Sequence, residues 1–438
     1  MSAGSARCEL ITCDLICYGV ASPASFRHYL DMLGQHRGSA VERYAHRGSG
    51  IPDRGDETAW FEDGSSESGT TRTRAWTRLW YANLLRESCT VCGFHSLDRP
   101  GDLTIGDYWG IDRVIPGFAD GWGTSCVIAN DERGLALLWD AFDSLDLVET
   151  RVEDVANDEQ PMLSHPPRVD VEQTFWRIER EQGFESACGA IGIMDWRRRI
   201  WDAADAALGL AGSIGRPRRG DREIRSRRQD SPAAMPSPVL DCGTADLPRA
   251  FAARNRSDEI RRQSSSGGVF HALASHVISR GGIVYGCAFD AELRAVHMRC
   301  ETMEDVLRCM GSKYTQSDMG DVLGMVGVDL AEGRTVLFTG TPCQVAAARA
   351  LHDPGAGLPD GSSKTGDGAA ADPRVVPELF RSREKCCGCT ACAAACPVRA
   401  ISMEPDDHGF PYPAIDDERC IGCGICTSIC PFKKKVLR

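Results

Sequence analysis

No stretch of the 438-residue sequence approaches the ~18 consecutive apolar residues that a membrane span needs, so no membrane span is expected. The opening MSAGSARCEL lacks a signal-peptide apolar region, and a cytoplasmic location is the resulting expectation. Basic residues are the minority: 50 Lys and Arg against 62 Asp and Glu leave a net charge of -12. That balance argues against a nucleic-acid partner, which calls for a basic face. An acidic surface serves solubility, and it also suits docking to a basic redox partner. No Ser-His-Asp set or carboxylate pair can be picked out and the ten His are scattered, so no catalytic acid or base is assigned.

Cysteine is what the chain has in plenty, at 21 residues. In a leaderless chain these read as metal ligands and free thiols rather than as a disulfide framework. Two copies of one pattern stand near the end: Cys386-x2-Cys389-x2-Cys392-x3-Cys396-Pro397 and Cys420-x2-Cys423-x2-Cys426-x3-Cys430-Pro431. This is the bacterial two-cluster ferredoxin run, in which the fourth Cys of each copy serves the other cluster. Cys386, Cys389, Cys392 and Cys430 are expected to hold one 4Fe-4S cluster, and Cys420, Cys423, Cys426 and Cys396 its mate. Zinc is the alternative, but it requires neither the triple Cys spacing nor the final Pro. Cys387 is off-register and reads as a bystander.

A chain of this length exceeds one core, and its composition divides it. The spacing predicts a module over 8–205, an Arg- and Pro-rich linker over 206–246, a module over 247–352, a second linker over 353–384 and the cluster segment over 385–432. In the first module, Glu9 to Ile16 reads as a strand that delivers Cys17 to a turn. Ser22 and Pro23 then cap a helix carrying Phe26, Tyr29, Leu30 and Leu33. Residues 47–73, rich in Gly, Ser, Asp and Thr, read as a surface loop. Cys89-x2-Cys92 taken alone is equally consistent with zinc, redox chemistry or no role. In the second module, Ser264 to Gly268 leads a helix, a start that can bind phosphate, although from these residues alone an ordinary cap is the stronger reading. Thr335 to Phe338 reads as a strand delivering Cys343 to the start of another helix, where a thiolate is stabilised.

Taken together, SSSGGVF, GGIVYGCAF, GSKYTQS, VLFTGTPCQVA, DLICYGVASP, CTVC and GDLTIGDYWGI resemble the beta-subunit family of coenzyme F-420 hydrogenases and dehydrogenases, in its version fused to a ferredoxin domain. The family order is ferredoxin, then the SSGG-to-GTPCQ half, then the CYG-to-GDYWG half; here the order is reversed. Linkers of ~30–40 residues reach roughly 30–38 Å, enough for the halves to reassemble within one chain. The resemblance implies a two-part α/β (α+β) flavoprotein core plus a small two-cluster ferredoxin domain.

By the same resemblance FAD is a cofactor. Ser266, Gly267, Gly268, Gly311, Ser312, Lys313 and Tyr314 are its candidate binding residues, with Lys313 available to a phosphate. Gly340, Thr341, Pro342 and Gln344 would lie near the flavin. Both halves bring thiols to this region, and a third 4Fe-4S cluster is expected on Cys17, Cys89, Cys92 and Cys343. The implied function is an oxidoreductase that links a hydride-carrying small molecule, of deazaflavin type, to a one-electron partner such as a ferredoxin or another oxidoreductase subunit. The alternatives are a non-catalytic electron-transfer subunit and a ferredoxin-linked reductase of another substrate, a sugar or a tetrapyrrole.

Overall fold

Apolar runs make the central strands. β1 (Leu10–Leu15), β5 (Leu103–Asp107), β6 (Ser125–Ala129), β8 (Arg249–Asn255), β9 (Ile283–Phe289) and β11 (Val336–Gly340) are buried along most of their length, the mark of strands covered on both faces. β7 (Leu145–Thr150) and β10 (Ala295–Cys300) stand at the two edges and are more exposed along their length. The eight form one sheet in the order β10-β9-β11-β1-β5-β6-β8-β7. β9, β11, β1 and β5 run parallel, and the other neighbours pair antiparallel. This is a computed structural model, and it describes residues 9–47, 57–157, 160, 162–169, 171–194, 247–353 and 375–436. The linker expected at 206–246 lies outside the described residues, as does 354–374 of the second one.

The sheet is assembled from both modules. β1, β5, β6 and β7 come from the first, β8 to β11 from the second, and β8 inserts between β6 and β7. Neither module completes this sheet alone, so the reversed halves reassemble within one chain. On one face Cys13, Leu103 and Leu337 pack against Leu137 and Leu138 of helix Glu132–Asp140 and Leu273 of helix Val269–Ser279. On the other, Tyr285, Val336 and Phe338 pack against Val345 and Ala348 of helix Pro342–His352. Each such Leu or Phe contributes ~1.5–3 kcal/mol when fully buried.

A second core surrounds helix α1 (Pro23–Arg37), capped by the Ser22 hydroxyl, which accepts from the Ser25 amide. Phe26, Tyr29, Trp76, Phe175 and Phe184 fill it. It also corrects one expectation. Two short parts of 47–73 are strand: β3 (Thr58–Phe61) lies between β2 (Val41–Ala45) and β4 (Ser66–Ser68) in a three-stranded sheet. Ala59 and Phe61 are buried there; a four-residue strand among turn-forming residues gives too little periodicity to be read.

The C-terminal segment folds as a hairpin, β12 (Ile401–Pro405) and β13 (Pro411–Ile415), flanked by the two Cys-rich loops. It is docked on the rest of the molecule. Phe432, Cys387 and Cys389 belong to the core beneath helix Pro342–His352. The hairpin turn meets the start of α1, where the His408 carbonyl accepts from Ser22 Oγ at 2.6 Å and from the Ala24 amide at 3.2 Å. The His408 ring stacks on Trp176 with centroids 3.9 Å apart.

Candidate metal and cofactor centre

Parallel pairing places two cysteines side by side. Asp14 of β1 pairs with Gly340 of β11, and Cys17 and Cys343 each follow three residues later, Cys17 on a loop and Cys343 in the first turn of helix Pro342–His352, beyond the same end of the two strands. Cys89 and Cys92 arrive on the short helical turn Glu87–Val91, whose neighbour Arg86 donates its amide to the Val20 carbonyl at 2.9 Å. Gly19 permits that approach, since a Cβ there would stand 2.6 Å from Leu85 Cδ1 and 3.3 Å from Cys89 Cβ.

The four thiols lie within electrostatic range of one another. Burial pushes the Cys17 thiol well up, and Cys89, Cys343 and Cys92 as thiolates would push it further. Burial raises Cys89 to about 11, with Cys343 adding to it, and raises Cys92, with Cys343 and Cys89 adding. Cys343 goes the other way, down to about 7, chiefly because Cys387 donates a hydrogen bond to it. Four half-buried thiols without a carboxylate or imidazole among them fit a cube of irons, which would neutralise the thiolates. Among the described residues no three His, Cys, Asp or Glu side chains group as ligands of a metal ion. The ligands of a cube are spread over four irons and stand further apart than those of a single ion.

Around this set lie groups that spacing does not single out. Arg99 is buried and pairs with buried Asp14 through Nε at 3.1 Å, while its Nη1 donates to the Phe94 carbonyl at 2.8 Å. That clamp ties the chain after Cys92 to β1. His95, held down to about 4 by burial and so neutral, donates from Nε2 to the Cys17 carbonyl at 2.8 Å. His165 makes the equivalent bond to the Cys92 carbonyl at 3.0 Å.

In the C-terminal segment the same mutual reinforcement links Cys386, Cys389, Cys392 and Cys430. Burial raises Cys392, and Cys389, Cys386 and Cys430 add to it; burial also raises Cys386 to about 11 and raises Cys430. A small, partly open pocket is lined by these four together with Cys387 and Cys426. Cys426 in turn has Cys423 and Cys396 near it. Left-handed Thr390 (φ 62°) and Gly424 (φ 72°) start the helical turns that carry Cys392 and Cys426. Cys387 is more than a bystander in position. It is buried and packs in one core with Cys343 and Cys389, one from each set.

The residues expected to hold the flavin are gathered, but several are already engaged. Ser265 Oγ accepts from the Ser312 amide at 2.7 Å, joining the two glycine-containing segments. Ser266 Oγ donates to the Thr124 carbonyl at 3.1 Å, and the Gly267 amide donates to Ser125 Oγ at 2.9 Å. Gly267 and Gly268 have structural reasons to be glycine. A Cβ on Gly267 would lie 2.4 Å from the Ala253 carbonyl oxygen, and Gly268 has φ +79°. Gly311 is likewise left-handed at φ +81°.

Lys313, expected to meet a phosphate, has partners within the chain. Its Nζ donates to the carbonyls of Cys309, Met310 and Gly311 at 3.1, 2.8 and 3.0 Å, capping helix Met303–Cys309. The Arg308 carbonyl is a fourth partner, at 3.3 Å. Tyr314 stacks on Trp80, with centroids 4.8 Å apart. Gln344 accepts from the Thr341 amide at 3.0 Å and donates to Ser317 Oγ at 2.9 Å, bracing the loop of Gly340 to Pro342.

Three family matches account for this architecture. Residues 5–154 match the C-terminal part of the beta subunit of coenzyme F-420 hydrogenase/dehydrogenase, residues 250–324 its N-terminal part, and residues 385–434 a 4Fe-4S dicluster domain. No curated protein and no solved structure matches the chain. The matches assign 4Fe-4S clusters to the C-terminal segment and an iron-sulfur electron-transfer role to the chain. With both halves of the core present, in reversed order, and joined in one sheet, the chain belongs to the coenzyme F-420 hydrogenase/dehydrogenase beta-subunit family.

Proposed function

We propose that the chain couples a two-electron hydride carrier of deazaflavin type to a one-electron redox partner, through FAD, a third 4Fe-4S cluster and the two ferredoxin clusters. One observation supports this above the others. Thiols from both halves, Cys343 from one and Cys17, Cys89 and Cys92 from the other, converge beyond the ends of the central strands β1 and β11, and Cys387 packs between them and the ferredoxin loop. Bound flavin would supply the exchange between a hydride and single electrons. The chain's own part is to hold and orient. Ser265 fixes the segment of Gly311 to Tyr314, Arg47 donates to the Ser265 carbonyl at 2.6 Å while paired with Asp107 at 2.7 Å, and Gln344 braces the Gly340 loop.

A second reading has its own observation. The hydrogen bonds of Ser266, Gly267 and Lys313 are satisfied within the chain, which favours an electron-transfer subunit without flavin. Anaerobic purification followed by acid release separates the two. A stoichiometric fluorescent flavin, and bleaching of the cluster absorbance by a reduced deazaflavin, support the first reading. An iron-loaded protein that releases no flavin after reconstitution with FAD rejects it in favour of the second.

A further inference from the structure

Arg86 is 1% exposed, and its guanidinium reaches all three parts of the molecule. Nε donates to the Cys386 carbonyl at 3.0 Å, Nη1 to Gln316 Oε1 at 2.7 Å and Nη2 to the Pro411 carbonyl at 2.9 Å. Its Cζ lies 4.2 Å from the Tyr412 ring centroid and 5.3 Å from that of Phe410. Every acceptor is neutral, and among the described residues no carboxylate pairs with it. Contrast Arg99, equally buried, which has Asp14. The loop is packed so closely on Arg86 that a Cβ on Gly388 would stand 3.0 Å from Nη1.

An always-charged group taken out of water needs compensating charge nearby, because neutral dipoles do not replace its full hydration. The anions within its reach are thiolates of two ligand sets. On one side the Arg86 carbonyl accepts from the Cys89 amide at 2.9 Å, and on the other Arg86 Nε holds the Cys386 carbonyl. Among the described residues no hydrogen bond joins Arg86 to Cys396, Cys420, Cys423 or Cys426, the distal set.

We propose that Arg86 is the shared counter-charge of two clusters, the one on Cys17, Cys89, Cys92 and Cys343 and the one on Cys386, Cys389, Cys392 and Cys430. It is a positioning residue that raises the reduction potentials of both above that of the distal cluster. The inference rests on the cluster assignments of the proposed function. A thiolate-ligated cube is anionic, and taking up one electron from the reduced flavin makes it one unit more negative, so a fixed cation favours the reduced form. Burial keeps this interaction from being screened by salt.

The test is an anaerobic, EPR-monitored redox titration of the full chain carrying Arg86→Met, Arg86→Lys or Gln316→Glu. Arg86→Met is expected to lower two of three midpoint potentials and leave the distal cluster unchanged, and Arg86→Lys to restore both in part. Gln316→Glu keeps the arginine in place and sets a carboxylate against Nη1, so it should lower the same two; it decides alone should Arg86→Met fail to fold. Unchanged potentials with irons retained, an equal shift of every cluster, or identical effects of Met and Lys would overturn the proposal. Eight irons in the unaltered chain would remove the third cluster by itself, and the proposal would then be judged on the Cys386 cluster, whose potential must still fall.

Discussion

Asp14 and Gly340 face each other across the parallel pairing of β1 with β11, although 326 positions separate them in the chain. That one register brings Cys17, on its loop, and Cys343, in the first turn of a helix, beyond the same end of the two strands. Removing either thiol should therefore take away a cluster that needs both halves. Cys343→Ser in the full chain is expected to lower bound iron from about twelve to about eight per chain, with the ferredoxin signals kept. Iron analysis and EPR after anaerobic reconstitution check this; an iron content that does not change would sink the third cluster.

The Asp14–Arg99 pair offers a separate test of the same end. Both side chains are buried, and removing one charge leaves the other uncompensated, at a cost of about 3–5 kcal/mol. Asp14→Asn should lower the melting temperature and loosen the Cys89–Cys92 segment that Arg99 clamps. Adding Arg99→Met should recover most of the stability. A double variant as unstable as Asp14→Asn would mean that the arginine acts through hydrogen bonds rather than charge.

Glu57 gives the fold a pH dependence. Burial raises its carboxyl to about 8, against the restraining hydrogen bonds of Thr77 and Tyr44. A raised acid contributes its full stability below the ordinary value of 4.5, and that contribution is lost as pH rises through about 8. Neighbouring His46, lowered to about 3 by burial, acts in the opposite sense and only below its ordinary 6.5. Between about 6.5 and about 8 the slope belongs to Glu57 in this pair, at most about 1.4 kcal/mol per pH unit. Thermal melts across that window should show stability falling, and Glu57→Gln should flatten the fall; an identical slope in the variant refutes the assignment.

Lys313 is expected to act as a helix cap. Lys313→Met should cost up to about 2 kcal/mol of stability, the scale of a partly buried cation at a helix C-terminus, and leave flavin content unchanged. Loss of flavin with the melting temperature preserved would return Lys313 to the phosphate.

Much of this architecture can be read from the sequence, and the reason differs by element. The strand-to-Cys turns at Cys17 and Cys343 are local patterns, and β9 from Ile283 to Phe289 is an apolar run bounded by glycine. The doubled cysteine spacing carries its own chemistry. What the sequence does not display is pairing between distant segments. β8 between β6 and β7, Arg86 among Cys386, Gln316 and Pro411, and Cys387 between two thiol sets are all set by tertiary packing. Lys313 shows the same limit: a lysine beside Gly and Ser suggests an anion, while its carbonyl partners at the end of the preceding helix are set by the fold.

The hairpin turn that reaches the start of α1 bears on timing. A cluster domain on a loose tether delivers electrons at the pace of its collisions. Here the His408 carbonyl finishes another segment's helix, and the His408 ring is stacked on Trp176. The gap an electron must cross is thereby built into the fold, and distance and driving force govern the hop. Weakening that joint, with His408 and Trp176 both changed to alanine, would turn a fixed wire into a swinging contact.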